Sequence, residues 1–341
     1  MQVFGAKQDT AGFSEAEREV VLQARLLYDI SPHCVITPMS ADLNVEYLIE
    51  DKRSGLYTVL RISRPELCGR DALDAEILWI KELDKHAPPF MLPQPIAGTD
   101  GGVVQKIVLP DGGTYLCTMF AYLHGRPLSD HEESQLVSDF RKLGEVTALM
   151  HQNALQWNGS ETLARPVLDC SVLLGSQNLY TLRAGCETVK LPNDALALFD
   201  KTGSVIRRRL FKFGKSGARF GLIHSELSLS NIICYKNRFA VTHFDRCGFG
   251  WFLYDFASSV SYMEDHPLLP SLTTAWLEGY RMQRNISNEE SAELPTFVML
   301  RRLELLGRLV RYRDPVASKG FTADFIEKTA ALAERYLSAV Q

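Results

Sequence analysis

Residues 221–256 of the 341-residue chain read GLIHSELSLSNIICYKNRFAVTHFDRCGFGWFLYDF, and this stretch decides the fold. An apolar run ends at Ile223 and gives way to a polar loop, 224–231. Two β-type runs follow, 231–235 and 238–244, and lead to His243-Phe244-Asp245 and then a glycine-containing turn. Strand ends and the loops between them are where a rigid scaffold presents reactive groups. The spacing predicts that His224, Glu226, Asn231, His243 and Asp245 converge on one space.

Working outward, the first third reads as mixed α and β. Residues 14–29 predict a helix opened by Ser14, with Glu17 three residues on to complete a capping box. Short β-type runs at 33–37, 43–50 and 56–63 precede a helix over 70–85, with Leu73, Ile77, Ile80 and Leu83 at helical spacing. Two further β-type runs, 102–109 and 114–120, flank Pro110-Asp111-Gly112-Gly113. Beyond that the pattern is helical: 133–152, with Leu136, Phe140, Leu143, Val146 and Met150 on one face, then 194–211, 271–282, 289–312 and 322–338. In 289–312 the stripe is Leu300, Leu303, Leu306 and Val310. A β-rich island, 219–244, interrupts these helices. The expected organisation is a small sheet-containing lobe, 1–120, and a larger helical lobe, 121–341, with a cleft between them.

Composition sets the class. Hydrophobic residues are 46% and charged residues 23% of the chain, proportions that support a sizeable core. Lys and Arg number 37 against 41 Asp and Glu, so neither a nucleic-acid-coating nor a membrane-surface role is expected. No apolar run reaches the roughly 18 residues of a membrane span, and the first residues lack a signal-peptide pattern. The seven cysteines are scattered with no C-x-x-C pair, which fits free thiols in a cytoplasmic protein.

GLIHSELSLSN, VTHFDRCGFG and YDFA, in that order and spacing, resemble the aminoglycoside phosphotransferase and choline kinase superfamily. Its members read G-L-I-H-G/A-D-L-x-x-x-N, V-I-D-F-D-D-C-G-F-G and Y-D-L-A. The likeness is nearest to the branch of the stress-response kinase SrkA and the ThrB-type homoserine kinases, and covers the chain from about residue 30 onward. It implies an α+β, two-lobed protein-kinase-like fold and ATP as phosphoryl donor, with Mg²⁺ or Mn²⁺ as the metal. Phosphoryl transfer is mostly positioning and charge stabilisation. By this resemblance Glu226 takes the catalytic carboxylate position, with His224 beside it as a loop anchor more than a catalyst. Asn231, His243 and Asp245 take the metal-binding positions. Asp255 is read as an N-cap that braces the loop.

The strand 56–62 resembles the family's phosphate-contacting strand, with Arg61 in place of Lys and Val59 toward adenine. Glu76 on the next helix is the expected partner of Arg61. Residues 119–123, including Met119 and Ala121, would form an adenine-binding hinge. The loop 39–44 has no glycine, which restricts close approach of its amides to phosphate.

Departures cluster at the centre. Glu226 and His243 each replace an expected Asp, Ser228 a His, Ser230 a Gly, and Arg246 a second acid. Imidazole serves a hard ion such as Mg²⁺ poorly. Two readings stand. One is an ATP-dependent phosphotransferase acting on a hydroxyl of a small molecule or a Ser/Thr side chain of a peptide. The other is a pseudokinase that binds a protein partner. Acceptor residues are expected from 160–215 and 260–315. Glu264 and Asp265 there could attract a cation or lie in a solvated loop.

Overall fold

The computed structural model describes residues 14–41, 44–65, 68–175, 191–311 and 318–340. The chain divides into two compact units: one runs up to Lys81 and adds Leu92–His124, and the other takes Glu82–Met91 and everything from Gly125 onward.

In the first unit, helix α1 (Glu15–Leu27) starts as its sequence dictates. The Ser14 hydroxyl accepts the Glu17 N–H at 3.2 Å and the Glu17 carboxylate accepts the Ser14 N–H at 3.0 Å. Its buried face, Val20, Val21 and Ala24, packs on an antiparallel sheet. The strands are β1 (Cys34–Ala41), β2 (Val45–Asp51), β3 (Leu56–Ser63), β4 (Pro95–Ile96), β5 (Val104–Val108) and β6 (Thr114–Ala121). They run in the order β1-β2-β3-β6-β4, with β5 also paired to β6. Alternation sends Leu60 and Ile62 of β3 into the core with Ile49, Ile107 and Met119. Leu56, two residues before Thr58 on that same face, is 67% exposed because the strand is only beginning there. Helix α2 (Arg70–Lys85) buries Leu73, Ile77, Ile80 and Leu83.

The second unit holds two three-stranded sheets in place of one β island. In one, β7 (Arg126–Pro127) pairs with β10 (Ile232–Tyr235), which pairs with β11 (Arg238–Val241). In the other, β12 (Gly248–Trp251) lies between β8 (Val167–Leu168) and β9 (Phe220–Ile223). The expected glycine turn at 248–250 is therefore a strand. Its glycines admit close packing: a Cβ on Gly248 would come within 2.7 Å of the Pro166 carbonyl oxygen.

The helices of this unit are α3 (Glu133–Gln156), α4 (Cys170–Leu173), α5 (Asn193–Phe213), α6 (Leu253–Ser259), α7 (Leu269–Arg281), α8 (Asn288–Ser291), α9 (Leu294–Arg311) and α10 (Ser318–Val340). On α3, Leu136, Phe140, Leu143, Val146 and Met150 are all buried, as the periodicity predicts. The helix read over 289–312 is two helices. Ser287 and Glu290 form a capping box on α8, and Pro295 sits in the first turn of α9, where a missing N–H is harmless. Leu300, Leu303 and Leu306 are buried; the Val310 side chain lies outside the described residues. Among the described residues no helix is long and apolar enough to cross a membrane.

Candidate active site

The loop after β9 is clamped from below by α6. The chain turns at Ser225, with φ +65°, and the Asp255 carboxylate accepts the backbone N–H of His224 at 3.1 Å and of Ser225 at 2.6 Å. The Ser258 hydroxyl accepts the Leu227 N–H at 2.9 Å, and the Ser225 hydroxyl donates to the Arg246 carbonyl at 2.7 Å. Asp255 thus braces the loop, but from the first turn of α6; Phe252 occupies the N-cap.

His224 is fully buried with both ring nitrogens engaged. Nε2 lies 2.9 Å from the Thr242 carbonyl, and Nδ1 accepts the Glu226 N–H at 3.2 Å. A carbonyl can only accept, so the proton is on Nε2. Burial lowers the pKa of this imidazole despite the nearby Asp255 charge. Its visible work is to tie the loop to Thr242, just past the end of β11, and to hold the Glu226 N–H. His151, from α3, is built the same way. Nε2 faces Asp255 at 2.9 Å and Nδ1 faces the Tyr280 hydroxyl at 2.9 Å, which in turn accepts from Arg284 at 2.5 Å. Burial lowers its pKa as well.

Glu226 is enclosed by arginines of its own unit. Oε1 pairs with Arg301, Oε2 pairs with Arg308 at 2.8 Å, and Arg246 Nε lies 3.8 Å from Oε2. Burial opposes ionisation, yet the charge of Arg301, then those of Arg308 and Arg246, holds the carboxyl well below the ordinary range. The backbone carbonyl of Glu226 accepts Asn231 Nδ2 at 2.9 Å. That fixes the amide, and among the described residues no hydrogen bond reaches Asn231 Oδ1.

His243 follows β11 in the left-handed region, φ +60° and ψ +50°, and opens the short 3-10 turn Phe244–Arg246. Arg165 binds the backbone carbonyls of both Asp245 and Cys247, the latter at 2.6 Å, which sets the turn. Among the described residues no three His, Cys, Asp or Glu side chains cluster as an ion cage. A divalent ion held here would take most of its oxygen ligands from outside the protein, a pattern that Mg²⁺ accepts. Asn231 and Asp245 carry side-chain oxygens on this loop and turn, Asp245 being already engaged within the protein, whereas His243 carries imidazole nitrogens.

In the first unit, Arg61 and Glu76 form a bidentate pair, Nη1–Oε1 2.9 Å and Nη2–Oε2 2.7 Å, with only 3% and 1% exposure. Arg61 Nε also donates to Thr118 Oγ1 at 3.2 Å, and its guanidinium lies 5.1 Å from the Phe120 ring centroid. Val59 is half-buried, opposite Phe120 in the register. Met119 points into the core and pairs with both Leu60 and Ile96. The Ala121 N–H is taken by the Gln94 carbonyl at 2.9 Å. The backbone of Met119 and the N–H of Ala121 are thus engaged by the sheet, and the next uncommitted backbone donor among the described residues is the N–H of Leu123. Of the loop 39–44, residues 42 and 43 lie outside the described residues.

The periodicity reading overlooks Arg301 and Arg308. Arg301 and Arg302 sit in a helix with apolar residues on almost every side, Phe297 to Leu300 before them and Leu303, Leu305 and Leu306 after. A helix apolar all round is buried, so its charges must be paired; that was the available signal. Glu264 is one of those partners. It is 4% exposed and 2.7 Å from Arg302, so it is not part of a solvated loop.

Comparison with known proteins places this geometry. Residues 35–293 match the model of the phosphotransferase enzyme family. No curated protein matches the sequence. Among solved structures, a microcompartment-associated aminopropanol kinase is 28% identical, with TM-score 0.83 over 94% of this chain and 98% of that one. An amicoumacin kinase in complex with AMP-PNP, Ca²⁺ and Ami is 21% identical, with TM-score 0.76 over 95% and 94%. A Plasmodium vivax ethanolamine kinase is 14% identical, with TM-score 0.62 over 97% and 91%. The last two show the shared α+β kinase-like fold. With more than half its length matched, the chain belongs to the phosphotransferase enzyme family.

Proposed function

We propose that the protein transfers the γ-phosphoryl group of ATP to a hydroxyl of a small molecule. The observation that carries this reading is the loop 224–231, held by Asp255 and His224 so that Glu226 and Asn231 keep fixed places. In such a transfer the carboxylate orients the acceptor hydroxyl, an assignment made here to Glu226. Asn231 and Asp245 would hold the divalent ion, which neutralises phosphate charge when bound. Arg61, fixed by Glu76, would contact phosphate, with Val59 against the adenine and the backbone near Leu123 as its hydrogen-bonding edge. His224 is a positioning residue in this reading. The similarity to an aminopropanol kinase supports a small alcohol as acceptor over a peptide, and nothing in the comparisons supports the protein-binding scaffold.

The test is a thermal-shift titration with ATP and either Mg²⁺ or Mn²⁺, followed by transfer of labelled γ-phosphate to small alcohols. Ligand at a hundredfold its Kd should add about 2.7 kcal/mol, a rise of a few degrees. No shift at millimolar nucleotide with either metal would sink the reading.

A further inference from the structure

We propose that Arg301 and Arg308 of helix α9 are positioning residues for phosphoryl transfer, holding the carboxylate of Glu226 in place from outside its own loop. This rests on the reading of Glu226 as the acceptor-side carboxylate. The loop fixes only the main chain of that residue, through its N–H to His224 and its carbonyl to Asn231. The carboxylate lies several side-chain torsions further out, and a Glu side chain has many rotamers to lose on being fixed. Among the described residues every ion pair of that carboxylate is with an arginine beyond the loop.

Arg301, Glu304 and Arg308 stand at i, i+3 and i+7, on one face of α9. With Glu226 they close a ring of alternating charge. Glu226 Oε1 pairs with Arg301, which donates to Glu304 Oε2 at 3.2 Å. Glu304 Oε1 pairs with Arg308, which donates to Glu226 Oε2 at 2.8 Å. Each carboxylate oxygen of the ring is hydrogen-bonded to one guanidinium, and the ring's positive and negative charges cancel. Arg301 is the anchor. Its side chain is 1% exposed, it donates to Ser261 Oγ at 3.0 Å, and Nη1 lies 3.5 Å from the Tyr254 hydroxyl. Arg308 closes the ring nearer solvent, at 23% side-chain exposure.

Such a ring is a poor way to gain stability. Taking its charges out of water offsets most of their attraction, and apolar residues of the same volume often serve as well. What it supplies is geometry. Charge-assisted bonds to both oxygens fix the plane and the reach of the carboxylate. A carboxylate has about four acceptor directions, and the arginines take one on each oxygen. Glu226, whose side chain is 14% exposed, can therefore still accept the O–H of an alcohol. Side-chain length matters for the same reason. Shortening Glu226 to Asp would draw the carboxylate back from α9 by about one bond length, and a displacement near 1 Å can cost roughly 100-fold in rate. Helix α9 is in this way part of the catalytic apparatus, although its arginines act only through Glu226.

The test is steady-state transfer from labelled ATP, with Mg²⁺ or Mn²⁺, to 1-amino-2-propanol, ethanolamine, glycerol and water, with kcat and KM read separately. Arg308 is the residue to change, because its loss leaves both carboxylates still paired with Arg301. Arg308→Gln should lower kcat on the order of 10- to 100-fold, with the KM for ATP and the ATP-dependent thermal shift unchanged. Arg308→Lys keeps the charge and should recover part of the loss. Glu226→Asp should lower kcat on the order of 100-fold. Adding Arg308→Gln to it should cost less than about threefold more, since the contact is already gone. A residue that only stabilises the fold would lower the urea midpoint and leave the kcat of the folded fraction alone. That outcome for Arg308→Gln, or a kcat raised by Glu226→Asp, overturns the positioning role while the phosphotransferase reading stands. Full turnover by Glu226→Ala overturns this role together with the assignment of Glu226. A wild-type protein that transfers to none of the four acceptors overturns the phosphotransferase reading and this inference with it.

Discussion

The carboxylate of Asp255 holds the backbone N–H of His224 at 3.1 Å, and the same carboxylate takes Ser225 N–H at 2.6 Å and His151 Nε2 at 2.9 Å. One buried anion thereby joins helix α3, helix α6 and the loop that carries Glu226. Asp255→Asn keeps the shape but turns an NH₂ against one of the donors. The expected loss is about 3 kcal/mol, the value of hydrogen bonds to a buried charge. It should appear as a lower urea midpoint with unchanged m-value. Phosphotransfer should fall further than stability explains, because Glu226 is positioned through the same loop. An unchanged midpoint would mean that the three contacts are dispensable.

The Arg61–Glu76 pair separates structure from function in a different way. Both groups are almost fully buried, so removing one strands the other. Glu76→Ala should cost about 3–5 kcal/mol. Replacing both by apolar residues of similar volume, Arg61→Met with Glu76→Leu, should recover most of that stability, since well-packed hydrophobes often match a buried ion pair. If Arg61 serves the nucleotide, the double variant will unfold near the wild-type temperature yet show no ATP-dependent thermal shift. A retained shift would remove Arg61 from the nucleotide site.

The buried histidines and Glu226 give stability a defined acid profile. His151 and His224 have folded pKa values below their ordinary 6.5. Below that pH the unfolded chain takes up protons that the folded chain refuses, so stability present above about pH 6.5 declines as pH falls. Glu226 adds a second loss. Its folded pKa lies well under the ordinary 4.5, so its contribution is complete above about pH 4.5 and disappears through the more acidic range. Urea midpoints measured from pH 8 to pH 2 should decline in those two stages, the second of them below about pH 4.5. Replacing His151 by Asn should shrink the first stage without touching the second.

Much of this architecture is legible before any coordinates. The Ser14–Glu17 capping box, the helical stripe of α3 and the Arg61–Glu76 partnership are local patterns, set by spacing over a few residues or by one strand followed by one helix. The motif order from Gly221 to Phe256 led directly to the superfamily. What stayed hidden is tertiary. Gly248 and Gly250 read as turn formers, yet sit in a strand where space is scarce. Arg301 and Arg308 are 75 and 82 residues from Glu226 in the chain, and no local rule pairs them. Whether the backbone of 119–123 has groups to spare depends on which distant segment has claimed them, as Gln94 claims the Ala121 N–H.

His243 poses the sharpest question about metal use, and its backbone supplies a control. The residue stands at φ +60°, where a side chain costs about 1–3 kcal/mol. His243→Gly removes that strain but adds unfolded-state entropy of roughly 0.5–1 kcal/mol, so net stability should move by little more than about 1 kcal/mol. Its effect on turnover therefore reports the imidazole itself. His243→Asp, which tolerates the same conformation, supplies the hard oxygen that Mg²⁺ prefers. Mg²⁺-supported kcat/KM should then rise on the order of tenfold, about 1.4 kcal/mol of transition-state stabilisation, and any Mn²⁺ preference should narrow. Turnover that ignores both substitutions would place His243 outside the metal site and leave the ion to Asn231, Asp245 and the nucleotide.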